Sequence, residues 1–403
     1  MNGARPADVI IHNSVILDGP PADFAVGQAD FDVERADDWL AEAGGCVIAR
    51  GRGSGWQGLS ASAAVRVIDA GGAYLAPAYV DIHCHGAGGH SAEDGDAGLS
   101  EVLAVHRRHG TRTLALSFVS DTISGLCRSL STGAKLVRQS PHVLGLHAEG
   151  PFLSPDFKGA HAPEVLTVPT PEAVESILAA AAGSLAQITI APELPGALDA
   201  ISRFASAGVK VAIGHTGADY GQAARAFDAG ASILTHTFNA MPGIHHRAPG
   251  PILAAVDAGH VTLELINDGV HVAGAPARML ANLVPGRIAL ITDAMAATGM
   301  PDGRYTLGSL PVQVEDSVAR LRDDHGCVGA IAGSTLTLDQ AVMRAVREMG
   351  MSPLAAVQAA SLVPLRALGL IAPDAHSLLR VGMPAEYLLL NSDLSIRAEN
   401  VAR

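Results

Sequence analysis

Cysteine is scarce in this sequence, and its four cysteines lie far apart. Cys46, Cys84, Cys127 and Cys327 form no CxxC pair. Disulfide frameworks and thiolate zinc sites need paired or closely spaced cysteines, so neither is expected. This sparse cysteine usage favours a reducing compartment.

Long apolar runs and an excess of positive charge are also missing. No stretch of about eighteen apolar residues occurs, and residues 1–17 lack the basic start and long apolar run of a signal peptide. The chain has 27 Lys and Arg against 40 Asp and Glu, a formal net charge of -13, which repels nucleic acids and anionic lipids. We therefore expect a cytoplasmic protein that binds neither nucleic acid nor membranes.

Common signatures of nucleotide and serine-hydrolase chemistry are absent or incomplete. There is no GxxxxGK[ST] motif, and no GxSxG motif is followed by a plausible Asp and His. Residues 53–58 match GxGxxG, but residues 59–64 are a poor helix and another β segment follows. We interpret residues 53–58 as a hairpin loop rather than a dinucleotide site.

Alternating apolar strands and Ala-rich amphipathic segments begin near residue 74. Such alternation over eight repeats predicts a (β/α)₈ barrel. The predicted strands are residues 79–83, 113–119, 143–147, 187–191, 210–214, 232–235, 261–266 and 288–292. A last helical stretch is predicted over residues 335–369.

Both ends of the chain have a different sequence pattern from the barrel segment. Short strands are predicted at residues 8–17, 45–50, 65–69 and in the tail 378–390. We expect residues 1–75 and 371–403 to form a small β-sandwich domain beside a barrel of residues 76–370. The acidic segment 20–43 is interpreted as a solvated insertion without an assigned function.

Polar side chains follow nearly every predicted barrel strand, where the carboxyl ends of the strands converge on one mouth. His83 and His85 alternate along the first strand, so both rings point to the same side and can hold one cation. An isolated HxH is more often two surface histidines. Here a metal site is the better interpretation, because four further candidate ligands each follow their own strand: Glu149, His215, His236 and Asp293. For His147 we expect a supporting contact rather than metal ligation.

Several longer motifs resemble those of one known family. They are GLHAEGPF at residues 145–152, KGAH at 158–161, GHT at 214–216, THTFNAM at 235–241, HRAPG at 246–250, DGVH at 268–271, TDAM at 292–295 and AGS at 332–334. Together these segments resemble the N-acetylglucosamine-6-phosphate deacetylases of the amidohydrolase superfamily. The reaction this implies is hydrolysis of N-acetyl-D-glucosamine 6-phosphate to D-glucosamine 6-phosphate and acetate, in amino-sugar catabolism and recycling.

The resemblance implies a metal centre with one or two divalent ions per subunit. Glu149, His215 and His236 would hold the main ion, and Asp293 would bind metal and act as the catalytic acid and base. Because His83 and His85 are both present, we expect a second ion, with Glu149 bridging the two. Zinc is the expected ion, with iron, manganese, cobalt and cadmium as alternatives.

The resemblance also implies a substrate pocket and a homodimer. Substrate contacts are expected from Ala160, His161, Asn239, Ala240, Arg247, His271, Ile331, Ala332 and Gly333. The family counterpart of Arg247 reaches the phosphate in the neighbouring subunit, which implies that two copies of the chain build each complete site.

Three other functions share features with this sequence. A dihydroorotase-like enzyme would use a carboxylated lysine after the fourth strand, but that strand ends in Ala-Pro-Glu at residues 191–193. Deacetylation of the epimeric N-acetylgalactosamine 6-phosphate needs almost the same residues and stays open. So does a metal-dependent sugar-phosphate binder without catalysis, although all predicted catalytic residues are present.

Overall fold

A barrel of eight parallel strands forms the centre of the protein. The computed structural model describes residues 7–20, 36–60, 64–322 and 328–397. The barrel strands are β6 Tyr79–Cys84, β9 Thr111–Phe118, β10 Val143–Glu149, β11 Leu185–Ile190, β12 Lys210–Ile213, β13 Ala231–Leu234, β14 Thr262–Ile266 and β15 Ile288–Ile291. Each overlaps a predicted strand, so the prediction of a (β/α)₈ barrel is confirmed.

The strands follow one another around the barrel in chain order, from β6 to β15. Almost all their side chains are buried, as expected for parallel strands that pack on both faces. The amide of Asp293, just after β15, donates to the carbonyl of His83 in β6 at 2.9 Å. This bond brings the last strand beside the first.

Ten α-helices lie in the described part of the chain, most of them between barrel strands. They are α1 Asp96–Arg108, α2 Ile123–Gln139, α3 Pro171–Ala181, α4 Ala197–Ser206, α5 Tyr220–Asp228, α6 Gly250–Asp257, α7 Gly274–Leu283, α8 Leu338–Arg347, α9 Pro353–Ala359 and α10 Leu362–Ala367. The predicted helical stretch 335–369 is thus three helices, with Pro353 starting the second. None of the described helices is long and apolar enough to cross a bilayer.

Strands from both chain ends form one further sheet of six strands. They are β1 Val9–Ile16, β2 Asp38–Ala43, β3 Cys46–Arg52, β4 Arg66–Asp69, β5 Tyr74–Pro77 and β20 Tyr387–Leu390. The tail strand β20 pairs antiparallel with β5, so the expected return of the tail to the N-terminal strands is confirmed. The domain boundaries at residues 75 and 370 stay a prediction.

Part of the predicted acidic insertion is a strand. The interpretation of residues 20–43 as a solvated insertion is wrong for β2, which pairs with β1 and β3. Trp39, Leu40 and Ala41 are buried there, and this apolar centre outweighs the acidic residues around it. Residues 21–35 of the predicted insertion lie outside the described residues.

The GxGxxG segment is a short 3₁₀ turn at Gly55–Leu59 rather than a hairpin loop. It connects β3 to β4, but β4 pairs with β1, so the two strands it joins are not neighbours. The ring of Trp56 stacks on His12 at 4.2 Å, which ties the turn to the sheet. Among the described residues, the next element after this turn is β4.

A four-stranded antiparallel sheet follows the barrel and was not predicted from the sequence. Its strands are β16 Gly303–Leu307, β17 Leu310–Glu315, β18 Val318–Arg322 and β19 Val328–Ile331. A two-residue pair, β7 Gly86–Ala87 and β8 His90–Ser91, follows β6. The end of β19 leads into residues 332–334, which lie against the segment after β15.

Candidate active site

The six predicted metal ligands come together at the carboxyl ends of the barrel strands. His83 lies on β6 and Glu149 ends β10, whereas the other ligands fall in the segments directly after their strands. All six are at least nine-tenths buried: His83, His85, Glu149, His215, His236 and Asp293. The barrel therefore gathers side chains that are up to 210 positions apart in the sequence.

Glu149 is the centre of this cluster. Its Oε1 lies 3.4 Å from His83 Nε2, 3.1 Å from His215 Nε2 and 3.2 Å from His236 Nε2, and its Oε2 lies 3.2 Å from His85 Nε2. One carboxylate thus contacts both histidine pairs, the geometry expected of a group that bridges two ions.

Asp293 extends the cluster on one side. Its Oδ1 lies 3.2 Å from His85 Nε2 and 3.5 Å from His83 Nε2. The same oxygen can therefore contact an ion held between these histidines while the other oxygen remains available to a substrate or water.

Three of these residues adopt a left-handed backbone conformation. φ is 47° at His215, 26° at His236 and 51° at Asp293. Non-glycine residues in this region cost about 1–3 kcal/mol each and cluster at active sites. Each lies two residues after the last residue of its barrel strand, so the strained turn redirects the side chain into the mouth.

The histidine hydrogen bonds favour a cation at the centre. His85 Nδ1 lies 3.2 Å from the carbonyl oxygen of Ser117, and His215 Nδ1 lies 3.0 Å from that of Phe157. A carbonyl only accepts, so each Nδ1 carries a hydrogen, and in the neutral ring each Nε2 directs a lone pair at Glu149. Lone pairs and a carboxylate repel one another unless a positive charge lies between them.

Ligand spacing also fits a metal ion. Tetrahedral zinc with bonds of about 2.0–2.1 Å places its ligand atoms about 3.3 Å apart. The Nε2 atoms are 3.3 Å apart in the pair His83 and His85, and 3.0 Å apart in the pair His215 and His236. The residues present therefore fit one or two divalent ions.

Electrostatics within the cluster favour the same conclusion. Burial alone would lower the pKa of His83, but the charges of Glu149 and Asp293 raise it well above its ordinary value. Burial also opposes charge on His85, yet its contacts with Asp293 and Glu149 raise its pKa to about 9. The two carboxylates thus create a negative field that binds cations, either protons or the metal ion that displaces them.

His161 contacts the cluster as a hydrogen-bond donor. Its Nδ1 accepts the backbone N–H of Ser120 at 3.3 Å, so the hydrogen is on Nε2, which lies 3.4 Å from Glu149 Oε2. This tautomer suits an oxygen-binding role better than metal ligation, although the distances alone would permit both.

The segment after β19 lies beside Asp293, and the substrate contacts expected from residues 331–333 stay a prediction. The amide of Ser334 donates to the carbonyl of Asp293 at 2.7 Å, and the Ser334 carbonyl accepts from Met295 at 3.0 Å. Gly333 has φ +58°, and a Cβ there would lie 3.0 Å from the Asp293 carbonyl oxygen. Ala160 packs against the apolar cluster that contains Ala332. A side chain at 333 would therefore crowd the predicted base.

Asn239 and Ala240 lie next to two of the histidines. Asn239 Nδ2 donates to the carbonyl of His236 at 3.1 Å, and the Ala240 carbonyl accepts from Thr216 at 3.1 Å, one residue after His215. Their backbone is therefore tied to the ligand segments.

The predicted phosphate ligands, Arg247 and His271, have contacts with their own loop neighbours. Arg247 is exposed, and its backbone amide donates to the His245 ring at 3.3 Å. His271 Nδ1 contacts Asp268 Oδ2 at 2.7 Å. The contacts among the described residues link neither Arg247 nor His271 to the histidine cluster, and their phosphate role stays a prediction.

Two buried groups behind the ligands were not recognised from the sequence. Glu264, inside β14, lies 3.1 Å from His83 Nδ1, and Gln187 donates to it at 2.8 Å. His147, which the sequence did indicate, makes hydrogen bonds with two hydroxyl groups, Ser117 Oγ at 2.9 Å and Thr189 Oγ1 at 2.9 Å. These contacts agree with the expected supporting role of His147.

A (β/α)₈ barrel with histidines and carboxylates gathered at its strand ends defines the class of barrel hydrolases that use divalent metal ions. Within that class, the profile of the Amidohydrolase family matches residues 74–395. The chain belongs to the amidohydrolase family.

Relatives of known name match most of the chain. It is 37% identical over 80% of its length, and 85% of the relative, to an N-acetylgalactosamine-6-phosphate deacetylase of Escherichia coli. It is 34% identical to an N-acetylglucosamine-6-phosphate deacetylase of Vibrio furnissii, with 80% of each chain covered. A mutant N-acetyl-D-glucosamine-6-phosphate deacetylase from Mycobacterium smegmatis, in complex with N-acetyl-D-glucosamine-6-phosphate, has a TM-score of 0.85 and 38% identity, with 97% of each chain covered.

Proposed function

We propose that this amidohydrolase removes the acetyl group from N-acetyl-D-glucosamine 6-phosphate, giving D-glucosamine 6-phosphate and acetate. The observation that carries the proposal is the cluster centred on Glu149, in which two histidine pairs and Asp293 converge. The substrate is supported by the similarity, over 97% of both chains, to the mycobacterial enzyme with that compound bound. The reaction belongs to amino-sugar catabolism and recycling.

The proposed centre would hold one or two divalent ions per subunit. Glu149, His215 and His236 would hold the main ion, and His83, His85 and Asp293 would hold a second ion together with Glu149. Zinc is the proposed ion, since imidazole and carboxylate ligands suit it, and iron, manganese, cobalt and cadmium are alternatives. When bound, such an ion polarises the acetyl carbonyl and lowers the pKa of water from about 15.7 towards 7.

Asp293 is the proposed base and then acid. Burial raises the pKa of its carboxyl group, but the nearby charge of His83 outweighs burial and holds that pKa below its usual value. The carboxylate is therefore ionised at neutral pH, ready to accept a proton from the attacking water and pass it to the leaving amine. His161 Nε2 donates to the oxygen on which negative charge develops.

The remaining predicted residues bind the sugar phosphate. Ala160, Asn239, Ala240 and residues 331–333 line the mouth around the reacting amide. His271 and Arg247 hold the phosphate, and the family resemblance assigns Arg247 to the site of the second subunit of a homodimer. Its exposure within residues 243–248 supports this assignment. A sugar phosphate crosses bilayers poorly, so the proposed enzyme acts in the cytoplasm.

The test is acetate release by the purified protein from N-acetyl-D-glucosamine 6-phosphate and from the unphosphorylated sugar. We expect release from the phosphorylated sugar only, loss of release after chelation, and recovery when zinc is restored. Tight binding of the sugar phosphate without any release, with each candidate metal supplied, would instead favour a non-catalytic binder.

A second substrate is favoured by one specific observation. The relative from Escherichia coli, at 37% identity, carries the name of the galactosamine epimer. The two sugars differ at one hydroxyl group, and a site that hydrogen-bonds this hydroxyl discriminates more strongly than a site that only contacts it. Measuring kcat/KM for both epimers with one preparation decides the substrate, and a higher value for the galactosamine compound would replace the first proposal.

Arg247→Ala tests the phosphate contact. A charge-assisted hydrogen bond contributes about 1.5–3 kcal/mol, so we expect KM for the phosphorylated sugar to rise about 10- to 100-fold with little change in kcat. Arg203→Ala, which removes an exposed arginine paired with Glu175 on the helical surface, is the control and leaves KM unchanged.

Mixed dimers separate a contact within the subunit from one across the interface. Subunits with Arg247→Ala are mixed with subunits carrying Asp293→Asn and allowed to exchange. If Arg247 acts across the interface, each hybrid has one site with both Asp293 and an arginine, and activity at low substrate concentration recovers. Activity that stays at the sum of the two parent variants would contradict the arrangement.

A further inference from the structure

Glu264 is a buried carboxylate inside the barrel. It lies on β14, where Leu263 and Leu265 flank it, and its side chain is fully buried. Its Oε2 is 3.1 Å from His83 Nδ1. A carboxylate on this atom means that the Nδ1 hydrogen of His83 is donated to Glu264 and that Nε2 faces the metal cluster.

Other contacts hold the Glu264 carboxylate in place. Gln187 Nε2 donates to its Oε1 at 2.8 Å, and the amide of His236 donates to its Oε2 at 3.3 Å. The carboxylate thus accepts hydrogen bonds from three strands or strand ends, and it cannot turn away from His83 without leaving these donors unpaired.

His83 is distinguished from the other histidines by this partner. The Nδ1 atoms of His85 and His215 face neutral carbonyl groups, and that of His236 is buried with no partner among the described residues. An anion behind an imidazole makes its other nitrogen a stronger metal ligand than a carbonyl does. Of these four histidines, His83 is therefore the one whose Nδ1 is hydrogen-bonded to a carboxylate.

We infer that Glu264 is a positioning residue for the second metal ion: it fixes the tautomer and orientation of His83 and sets the affinity of the ion held by His83 and His85. The inference rests on the proposed two-ion centre. A buried charge is costly unless it is paired and hydrogen-bonded. If Glu264 only stabilised strand β14, no charge would be needed there, because glutamine has the same shape and can also form hydrogen bonds.

Glu264→Gln tests the inference because it keeps the shape and removes the charge. Ions per subunit are measured by elemental analysis after dialysis, and both affinities by titration against a chromogenic chelator. We expect one affinity to weaken about 10- to 100-fold and the other to stay as in the unaltered protein. Glu42→Gln, which neutralises a buried glutamate on β2 of the six-stranded sheet, is the matched control and leaves both affinities unchanged.

A double variant shows whether the effect passes through His83. If it does, Glu264→Gln changes neither affinity when His83→Ala is already present. Gln187→Met is a milder second variant, since it removes only a donor to Glu264, and we expect a smaller loss at the same ion. Near-ultraviolet circular dichroism of the metal-free proteins establishes that each variant is folded.

The outcomes separate this inference from the proposed function. Two ions with unchanged affinities in Glu264→Gln, or equal weakening of both ions, would overturn the positioning role even if the enzyme releases acetate. A single ion in the unaltered protein would overturn it too. The unaltered protein could also fail to release acetate from either epimer while Glu264→Gln still weakens the binding of one ion only. That result would overturn the proposed substrate and leave the role of Glu264 supported.

Discussion

Asp293→Asn is expected to lower kcat for acetate release about 10²- to 10⁴-fold, the usual contribution of a general acid or base. Asparagine matches aspartate in shape but cannot accept the proton from water or return it to the amine. KM should change little, because the contacts assigned to the sugar and phosphate come from other residues. The measurement is a steady-state assay of acetate release at saturating substrate.

Metal content must be measured on the same preparation, because Asp293 is also a predicted ligand. Its Oδ1 lies 3.2 Å from His85 Nε2, so the substitution is expected to lower the affinity for the ion held there. The assay is therefore repeated at metal concentrations that fill both sites. A variant that holds both ions and retains more than a tenth of the kcat would show that Asp293 is not the proton carrier.

The barrel could be predicted because its physical signals are local and repeated. Buried parallel strands are apolar along their whole length, as in β15, and amphipathic segments separate them. The candidate ligands could be predicted for a related reason, because a histidine or carboxylate directly after such a strand must lie at the carboxyl end of the barrel. His215 and Asp293 follow this rule even though their left-handed backbone is invisible in the sequence.

The parts that could not be predicted depend on pairing between distant segments. The sheet of β16–β19 consists of antiparallel neighbours with partly exposed side chains, so its strands lack the continuous apolar signal of the barrel. Strand β2 begins with an aspartate in an acidic context, and only its pairing with β1 and β3 fixes it as a strand.

Glu264 illustrates a different limit. A lone glutamate between leucines in a barrel strand signals an inward polar group that needs a partner, but the sequence does not say which one. Its partners come from β6 and β11 and from His236, two residues after β13, and only the closed barrel brings them together. Buried charges in otherwise apolar strands are therefore useful markers of groups that support a metal centre.

Glu149→Gln is expected to remove both ions and to lower acetate release at least about 10³-fold, since both catalysis by metal and the orientation of the amide depend on them. Burial alone would raise the pKa of Glu149, but the charge of His83 and the surrounding histidines hold it well below its usual value. This carboxylate is thus the principal negative charge shared by the two histidine pairs. Glutamine offers a neutral oxygen and brings an amide group that repels a cation.

Thermal unfolding gives a measure of this loss that does not depend on activity. A ligand that binds only the folded state stabilises it by about 4 kcal/mol at a thousand times its Kd, so zinc should raise the Tm of the unaltered protein clearly. In Glu149→Gln this shift should disappear, and the metal-free variant should be less stable than the metal-free parent, because the buried histidines whose charge Glu149 offsets lose their partner. Glu42→Gln should keep the full shift. A zinc-dependent shift of the same size in Glu149→Gln would show that Glu149 does not bridge the ions, and the centre would then have to be built on the histidines and Asp293 alone.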